Sequence, residues 1–389
     1  MGNVIYKRNI NPIIVFSLTW MFVLLLYSFK WTYVLKFNFY ECISFFVIYI
    51  YAPFIFGGLF LYVFFLDKKF KKNVSLNYSD GYLLDYKKVK ILLTIFVIGT
   101  LFELFYFKGV PLLWVLGGDP RGYADYGISS LHGLLNAIQL SLMLIYFHMA
   151  MNKKVSWFLF LMLNIWCVIM LSRFLIMISL VQVFFLYIAV NKITAKHFVF
   201  LFIFSVLIMS GFGFLGGIRS EIDESKLISL FEINDNYPSF LPKTFIWVYS
   251  YITTPFNNLL AWQDIDGGNY LLPSLLSGLF PSVIRTLVFS PSEIPTLVHE
   301  TFNMSTGYSP ILIDVGGLGI VIFNLIISGF ITYKWFLIRT ELSLLKYIVY
   351  LQCLFYLIFF NPFFTLPILF QLLFLSVCFK NSRKILVTN

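Results

Sequence analysis

Long apolar runs alternate with short polar intervals along almost the whole chain, and the runs have the length that a lipid bilayer requires. A helix crossing the hydrocarbon core needs roughly 20 apolar residues, and about 17 suffice where the bilayer thins. Ten runs qualify, at 12–28, 42–66, 91–107, 131–150, 155–171, 174–190, 197–216, 311–333, 343–360 and 362–379. One interval breaks the alternation. Gly217 to Pro310 holds 9 of the 18 acidic residues and 8 of the 14 prolines. The pattern predicts an all-α polytopic integral membrane protein in three parts: an N-terminal bundle of seven spans over 1–216, a large loop over 217–310, and three C-terminal spans over 311–389.

Basic residues give these runs a direction. With the N-terminus in the cytoplasm, 19 of the 28 Lys and Arg residues fall in cytoplasmic connections, which are much the shorter total of loop. The bias predicts an even number of spans, both termini inside and the long loop outside. Within that loop, 244–263 and 271–289 are apolar enough to touch lipid. Treating them as spans would either invert the later loops or place the basic-free segment "DIDGGNY" at 264–270 inside. They are therefore expected to be interfacial or re-entrant helices broken by Pro255, Pro273 and Pro281.

Composition agrees with this reading. Hydrophobic residues make up 60% of the 389 and charged residues 12%, with mean hydropathy +0.86. That is more apolar surface than a soluble core hides. The net charge of +10 is scattered between apolar runs rather than gathered in a stripe, which excludes nucleic acid as a partner. Lys7 and Arg8 before the run from Pro12 resemble a signal peptide, but the apolar region is too long and lacks a cleavage site. A retained first helix is expected. The lysine-rich loop 67–90 suits contact with an anionic leaflet. Cys42, Cys167, Cys353 and Cys378 all lie in apolar runs without CxxC spacing, so they read as core filler, with no metal site. "GFGFLG" at 211–216 matches a dinucleotide fingerprint but ends a membrane helix instead of linking a strand to a helix; Gly213 and Gly217 then serve helix packing.

Arginine and lysine are partitioned differently. Four of seven arginines lie on the outer side, against five of 21 lysines. Arginine recognises phosphate oxygens through a planar, bidentate fork, so its outer concentration points to a phosphorylated ligand there. Arg173 sits in "LSRFL", a turn so tight that an ionised group must lie at the membrane boundary. Arg121 lies in "GGDPRGYADYG" with Asp119, Tyr123, Asp125 and Tyr126, a loop suited to an anion and equally to an ordinary turn. Arg219 leaves the seventh span, and Arg285 lies between apolar residues that fit an interfacial anchor. For proton transfer the candidates are His299 and Glu300, with Glu221, Asp223, Glu224, Asp264 and Asp266 in the same loop. His132 and His148 belong to the fourth span and His197 begins the seventh; none is assigned chemistry. Glu103 is the main charged residue within a span. Trp247, Tyr251, Trp262, Tyr270 and Tyr308 could stack on sugars, or form an interface belt.

The order of these features resembles the O-antigen polymerase (Wzy) family, the repeat-unit polymerases of bacterial envelopes. Local matches are "LSRFL" at 171–175, "YITTPFNNL" at 251–259, and "GYSPILIDVGGLG" at 307–319, which carries Tyr308, Asp314 and Gly316. The paired Arg-x10-Gly loops described for some members are not matched, since the position answering Arg219 is Leu230. The resemblance implies a GT-C-like fold in the bacterial inner membrane and a glycosyltransferase working on undecaprenyl-diphosphate-linked oligosaccharide at the periplasmic face. It implies no cofactor; the partners expected are membrane lipid and a chain-length regulator protein. On it, Arg173, Arg219 and His299 would be catalytic, and Arg121, Arg285, Asp119, Tyr123, Tyr308 and Asp314 would bind substrate. Two alternatives stay open: an O-antigen ligase acting on lipid A core, and a lipid-linked oligosaccharide flippase.

Overall fold

The computed structural model of the chain describes residues 10–66, 82–121, 125–191, 229–243, 245–265, 267–289, 295–299, 302 and 304–381. Helix α1 (Pro12–Ser28) starts where Asn11 accepts a hydrogen bond from the Ile13 N–H at 2.8 Å and Pro12 fills the first turn, where an N–H would have no helical partner. Asn38 and Glu41 cap one another to open α2 (Phe39–Phe45), which passes through a π-helical segment (Phe46–Tyr51) into α3 (Ala52–Leu66). Strand β1 (Tyr82–Leu84), α4 (Tyr86–Phe107), the short α5 (Pro111–Leu116), α6 (Leu131–Met151), α7 (Phe158–Ile169) and α8 (Arg173–Val190) follow. Beyond Ser229 come α9 (Phe245–Ala261), α10 (Pro273–Leu276), α11 (Ser282–Val288), α12 (Ser309–Val315), α13 (Gly317–Phe336), α14 (Glu341–Tyr356), α15 (Leu366–Val377) and strand β2 (Phe379–Asn381).

The molecule is thus mostly helical, and among the described residues four helices are long and apolar enough to cross a membrane: Phe39–Phe64, Tyr86–Leu116, Leu131–Met151 and Gly317–Phe336. Pro12–Ser28, Phe158–Ile169, Phe174–Val190 and Leu366–Val377 are apolar but shorter. Nine of the ten expected runs contain a helix; the run 197–216, with its "GFGFLG" segment, lies outside the described residues. The architecture is all-α as expected, with one small addition: β1 and β2 form an antiparallel ribbon in the register Tyr82↔Asn381, Leu83↔Lys380, Leu84↔Phe379.

Contacts between loops define two ends. At the ribbon end, Lys154 Nζ donates to Glu341 Oε1 at 3.2 Å, and the Tyr347 hydroxyl donates to the Ile10 carbonyl at 2.7 Å. At the loop end, Thr32 bridges to Ile233, the Gly307 N–H donates to the Leu357 carbonyl at 2.8 Å, and the Phe174 and Phe360 rings lie 5.1 Å apart. The described helices lie between these two ends. Between them sits an aromatic core. The Trp20 ring, fully buried midway along α1, has the rings of Phe46 and Phe256 at 5.6 Å and that of Tyr308 at 5.9 Å. All four cysteines are free and buried, as core filler should be.

The two apolar segments of the long loop differ from expectation. Pro255 lies inside α9 and does not break it, while Pro273 stands in the first turn of α10 and Pro281 precedes α11. Proline lacks the N–H that a first turn leaves unused anyway, so it starts helices as readily as it stops them. Nor does α9 lie on lipid, because Ile252 through Leu260 are all buried. Its hydroxyls turn inward: Thr253 and Thr254 donate to the carbonyls of Tyr249 and Ser250 at 2.9 and 2.6 Å. Helix α11 by contrast is exposed, presenting Val283, Leu287 and Val288 beside Arg285.

α3 and α13 are held close by missing side chains. A Cβ on Gly57 would stand 2.5 Å from the Leu325 carbonyl oxygen and overlap Ser328 Oγ, whereas one on Gly133, in α6, meets nothing within 4 Å. Gly57→Ala is expected to lower the thermal midpoint of the detergent-solubilised protein, at a cost of about 1–3 kcal/mol from overpacking. Gly133→Ala should raise it, by about 0.4–1 kcal/mol. Equal midpoints for the two variants would contradict this packing.

Candidate functional site

Helix α4 ends at Lys108, whose left-handed backbone closes the last turn, and the chain then folds back through α5 towards α6. On this connection Arg121 is held by its neighbours. Its Nη2 and Nε donate to the Asp119 carboxylate at 2.6 and 3.0 Å, its Nη1 donates to the Phe107 carbonyl at 3.0 Å, and its guanidinium carbon lies 4.2 Å from the centre of the Trp114 ring. The hydrogen bonds from Arg121 hold the Asp119 carboxyl down at about 2. The expected substrate pair is therefore first a clasp that shapes its own loop. Two of the five guanidinium N–H groups are left for an anion. Tyr123 lies outside the described residues.

Under the clasp Val110, Trp114, Tyr126 and Met170 form a small buried cluster. Met170 comes from the turn between α7 and α8, so the segment leading into Arg173 packs on the same aromatic floor that supports Arg121. The Ser172 N–H donates to the Cys167 carbonyl at 3.0 Å to close that turn, and Arg173 is the first residue of α8. Two of the four expected arginines thus belong to neighbouring connections at the loop end. Arg219 lies outside the described residues, as do Glu221, Asp223, Glu224, Asp266 and Glu300.

The chemistry that sequence reasoning missed lies one turn below. Glu103, in the last turns of α4 and only 1% exposed, accepts a hydrogen bond from the Ile128 N–H at 3.0 Å through Oε1 and meets His132 Nδ1 at 2.9 Å through Oε2. His132 is the second residue of α6, and its side chain is 20% exposed. Gly127 makes the contact possible. Its backbone has φ +105 and lies so close to the imidazole that a Cβ would stand 2.5 Å from His132 Cγ. The Tyr126 ring lies 5.7 Å from the imidazole at a steep angle. Burial, assisted by Glu103, pushes the Tyr126 hydroxyl up to about 12. One signal did mark this place in the sequence: an acid inside an apolar run needs a partner.

Two of the remaining expected residues are engaged within the fold. The Tyr308 hydroxyl is fully buried and donates to Asn324 Oδ1 at 2.8 Å, so it presents no face to a sugar. Asp314, 1% exposed, accepts from the backbone N–H groups of Ser274 and Leu275 at 3.2 and 3.0 Å and so caps α10. Both groups are thus already engaged by neighbouring elements of the fold. His299 is half-buried with its ring 5.4 Å from Phe302, and Arg285 is exposed on α11. Among the described residues no group of three or more His, Cys, Asp or Glu could hold a metal ion. No protein-family model, curated protein or solved structure matches the chain.

The clasp carries a pH prediction. A carboxyl held below its ordinary value contributes order that is fully present above that ordinary value and is lost only as pH falls through the lowered one. The 107–121 loop should therefore keep the same hydrogen-exchange protection from pH 7 to pH 4 and lose it towards about pH 2. Loss of protection by pH 4 would exclude the clasp.

Proposed function

We propose that this chain is a membrane glycosyltransferase that polymerises undecaprenyl-diphosphate-linked repeat units of an O-antigen or related surface polysaccharide. It would act at the periplasmic face of the bacterial inner membrane, with ten spans in a GT-C-like arrangement and both termini in the cytoplasm. The growing chain would be moved from its lipid carrier onto the non-reducing end of a new lipid-linked unit. The observation that carries this reading is the shared floor beneath two arginine-bearing connections: Arg121 stacked on Trp114, and the turn into Arg173 packed through Met170 on the same cluster. A lipid diphosphate leaves at the boundary between hydrocarbon and water, and guanidinium groups fixed at that depth would stabilise its developing charge without reorganising.

The lysine-poor loop end supports the same reading, since it matches the face on which lipid-linked sugars are assembled into polymer. The buried side chains Gln352 and Gln371 both bond to Gln182, and tying up these polar groups inside the bundle favours transfer over flipping. The donor arrives activated as a diphosphate ester, so the chemistry asks for no nucleotide or redox cofactor.

The test is the lipopolysaccharide ladder of a deletion strain, compared with strains complemented by the wild-type chain or by variants. Core carrying a single repeat unit is the expected deletion phenotype. Loss of all attached O-antigen with accumulation of lipid-linked polymer would instead identify a ligase, and failure of repeat units to reach the outer face a flippase. Arg173→Ala should reduce polymer on the order of 10²-fold at normal protein level. Arg173→Lys should rescue poorly, because a point charge does not reproduce the planar fork. Full-length polymer from the alanine variant would remove Arg173 from the site.

A further inference from the structure

Glu103 and His132 form a buried carboxylate–imidazole pair at the boundary of the apolar helices, below the loop that carries Arg121. We propose that this pair is the proton acceptor of the transfer reaction, with His132 Nε2 as the base and Glu103 as the residue that positions it. The assignment rests on the glycosyltransferase reading above and replaces His299 in that role.

The geometry supplies each part. Glu103 accepts from the Ile128 N–H at 3.0 Å and from His132 Nδ1 at 2.9 Å, so its two oxygens tie the end of α4 to the start of α6. A carboxylate at Nδ1 places the imidazole proton there and leaves the Nε2 lone pair free, the arrangement by which an acid residue orients a histidine base. Among the described residues the only hydrogen bond of the His132 ring is the one to Glu103. At 20% exposure the ring is reachable, while Tyr126 and the Gly127 backbone fix its plane. A carboxylate shut away to 1% exposure in an apolar helix is costly for a fold to keep, and proteins retain such groups mainly where they act.

The step balances as follows. The acceptor hydroxyl gives its proton to Nε2 as the oxygen lone pair forms a bond to the anomeric carbon. The bond from that carbon to the diphosphate oxygen breaks, and its electron pair leaves with the lipid diphosphate. The imidazolium, paired with Glu103, then releases the proton to water. The products are a new glycosidic bond, a lipid diphosphate and one proton.

The experiment uses the full chain in proteoliposomes, supplied with the undecaprenyl-diphosphate-linked repeat units extracted from the deletion strain. His132→Ala is expected to lower kcat by roughly 10²–10⁴-fold with KM little changed, and added imidazole should restore part of the rate. Glu103→Gln is the second variant. Its amide oxygen can still accept from the Ile128 N–H, but its NH₂ would face Nδ1 and move the ring proton to Nε2. It should therefore lose kcat comparably at an unchanged thermal midpoint. Wild-type rates from either variant would overturn the assignment. So would a loss that follows a lowered midpoint and resists imidazole, because that marks a structural tie. If the wild-type chain does not extend these units at all, the glycosyltransferase reading fails and the role of the pair fails with it.

Discussion

In a hydrocarbon surrounding, a polar side chain has to find its partner within the protein, and this constraint decides how the long loop is held. Asn257 and Asn258 sit side by side on α9, both essentially inaccessible. Asn257 accepts from the Tyr27 hydroxyl at 2.8 Å and the Lys36 N–H at 3.0 Å, and donates to the Val34 carbonyl at 3.2 Å. Asn258 donates to the carbonyls of Phe302 and Met304 at 2.9 and 2.7 Å and accepts from the Val298 N–H at 3.3 Å. Two adjacent amides thus draw the first loop and the segment before α12 onto one helix. Trp262 adds a third tie by donating to the Thr296 carbonyl at 2.9 Å. Satisfying these groups requires α9 to be enclosed, which is why an apolar-looking segment of the long loop ends up inside the bundle.

Much of this could be read from the pattern of residues. Apolar runs found the helices because each needs its own length of greasy chain. Burial was harder to read. "YITTPFNNL" looks amphipathic, and sequence alone does not say whether its polar stripe faces water or other backbone; the structure turns it towards the loops of Val34 and Phe302. The same ambiguity attends Tyr308 and Asp314. A tyrosine and an aspartate beside a proline and glycines look like groups offered to a ligand, yet Asn324 and the first turn of α10 consume them. The π-helical segment is another case. Nothing in "FVIYIY" announces the wider turn, and the Tyr49 carbonyl there accepts from Asn324 at 3.2 Å.

The carboxylate–imidazole pair went unrecognised for a different reason. Glu103 and His132 are separated by a whole connection that bends back on itself through α5, and each residue alone has an ordinary explanation at a helix end. Only the fold of that connection, with Gly127 pressed on the ring and Tyr126 beneath it, brings the two within 2.9 Å. The arginines show the opposite balance. Their uneven distribution was visible in the composition of the loops, but it did not reveal that Asp119 already engages Arg121. A guanidinium with a neighbouring carboxylate is partly neutralised, so the pull on an anion at this floor has to come from more than one connection.

The ribbon joining β1 to β2 bears on how the molecule is made. The segment Tyr82–Leu84 is completed by Phe379–Asn381, which leaves the ribosome much later, and the Asp85 N–H that opens α4 waits in the same way for the Cys378 carbonyl. Until Phe379–Asn381 has been made, that strand keeps an open edge, the kind of edge that pairs with strangers. The charged residues that follow it, Asp85, Lys87 and Lys88, are then a safeguard for the nascent chain as much as a feature of the finished one.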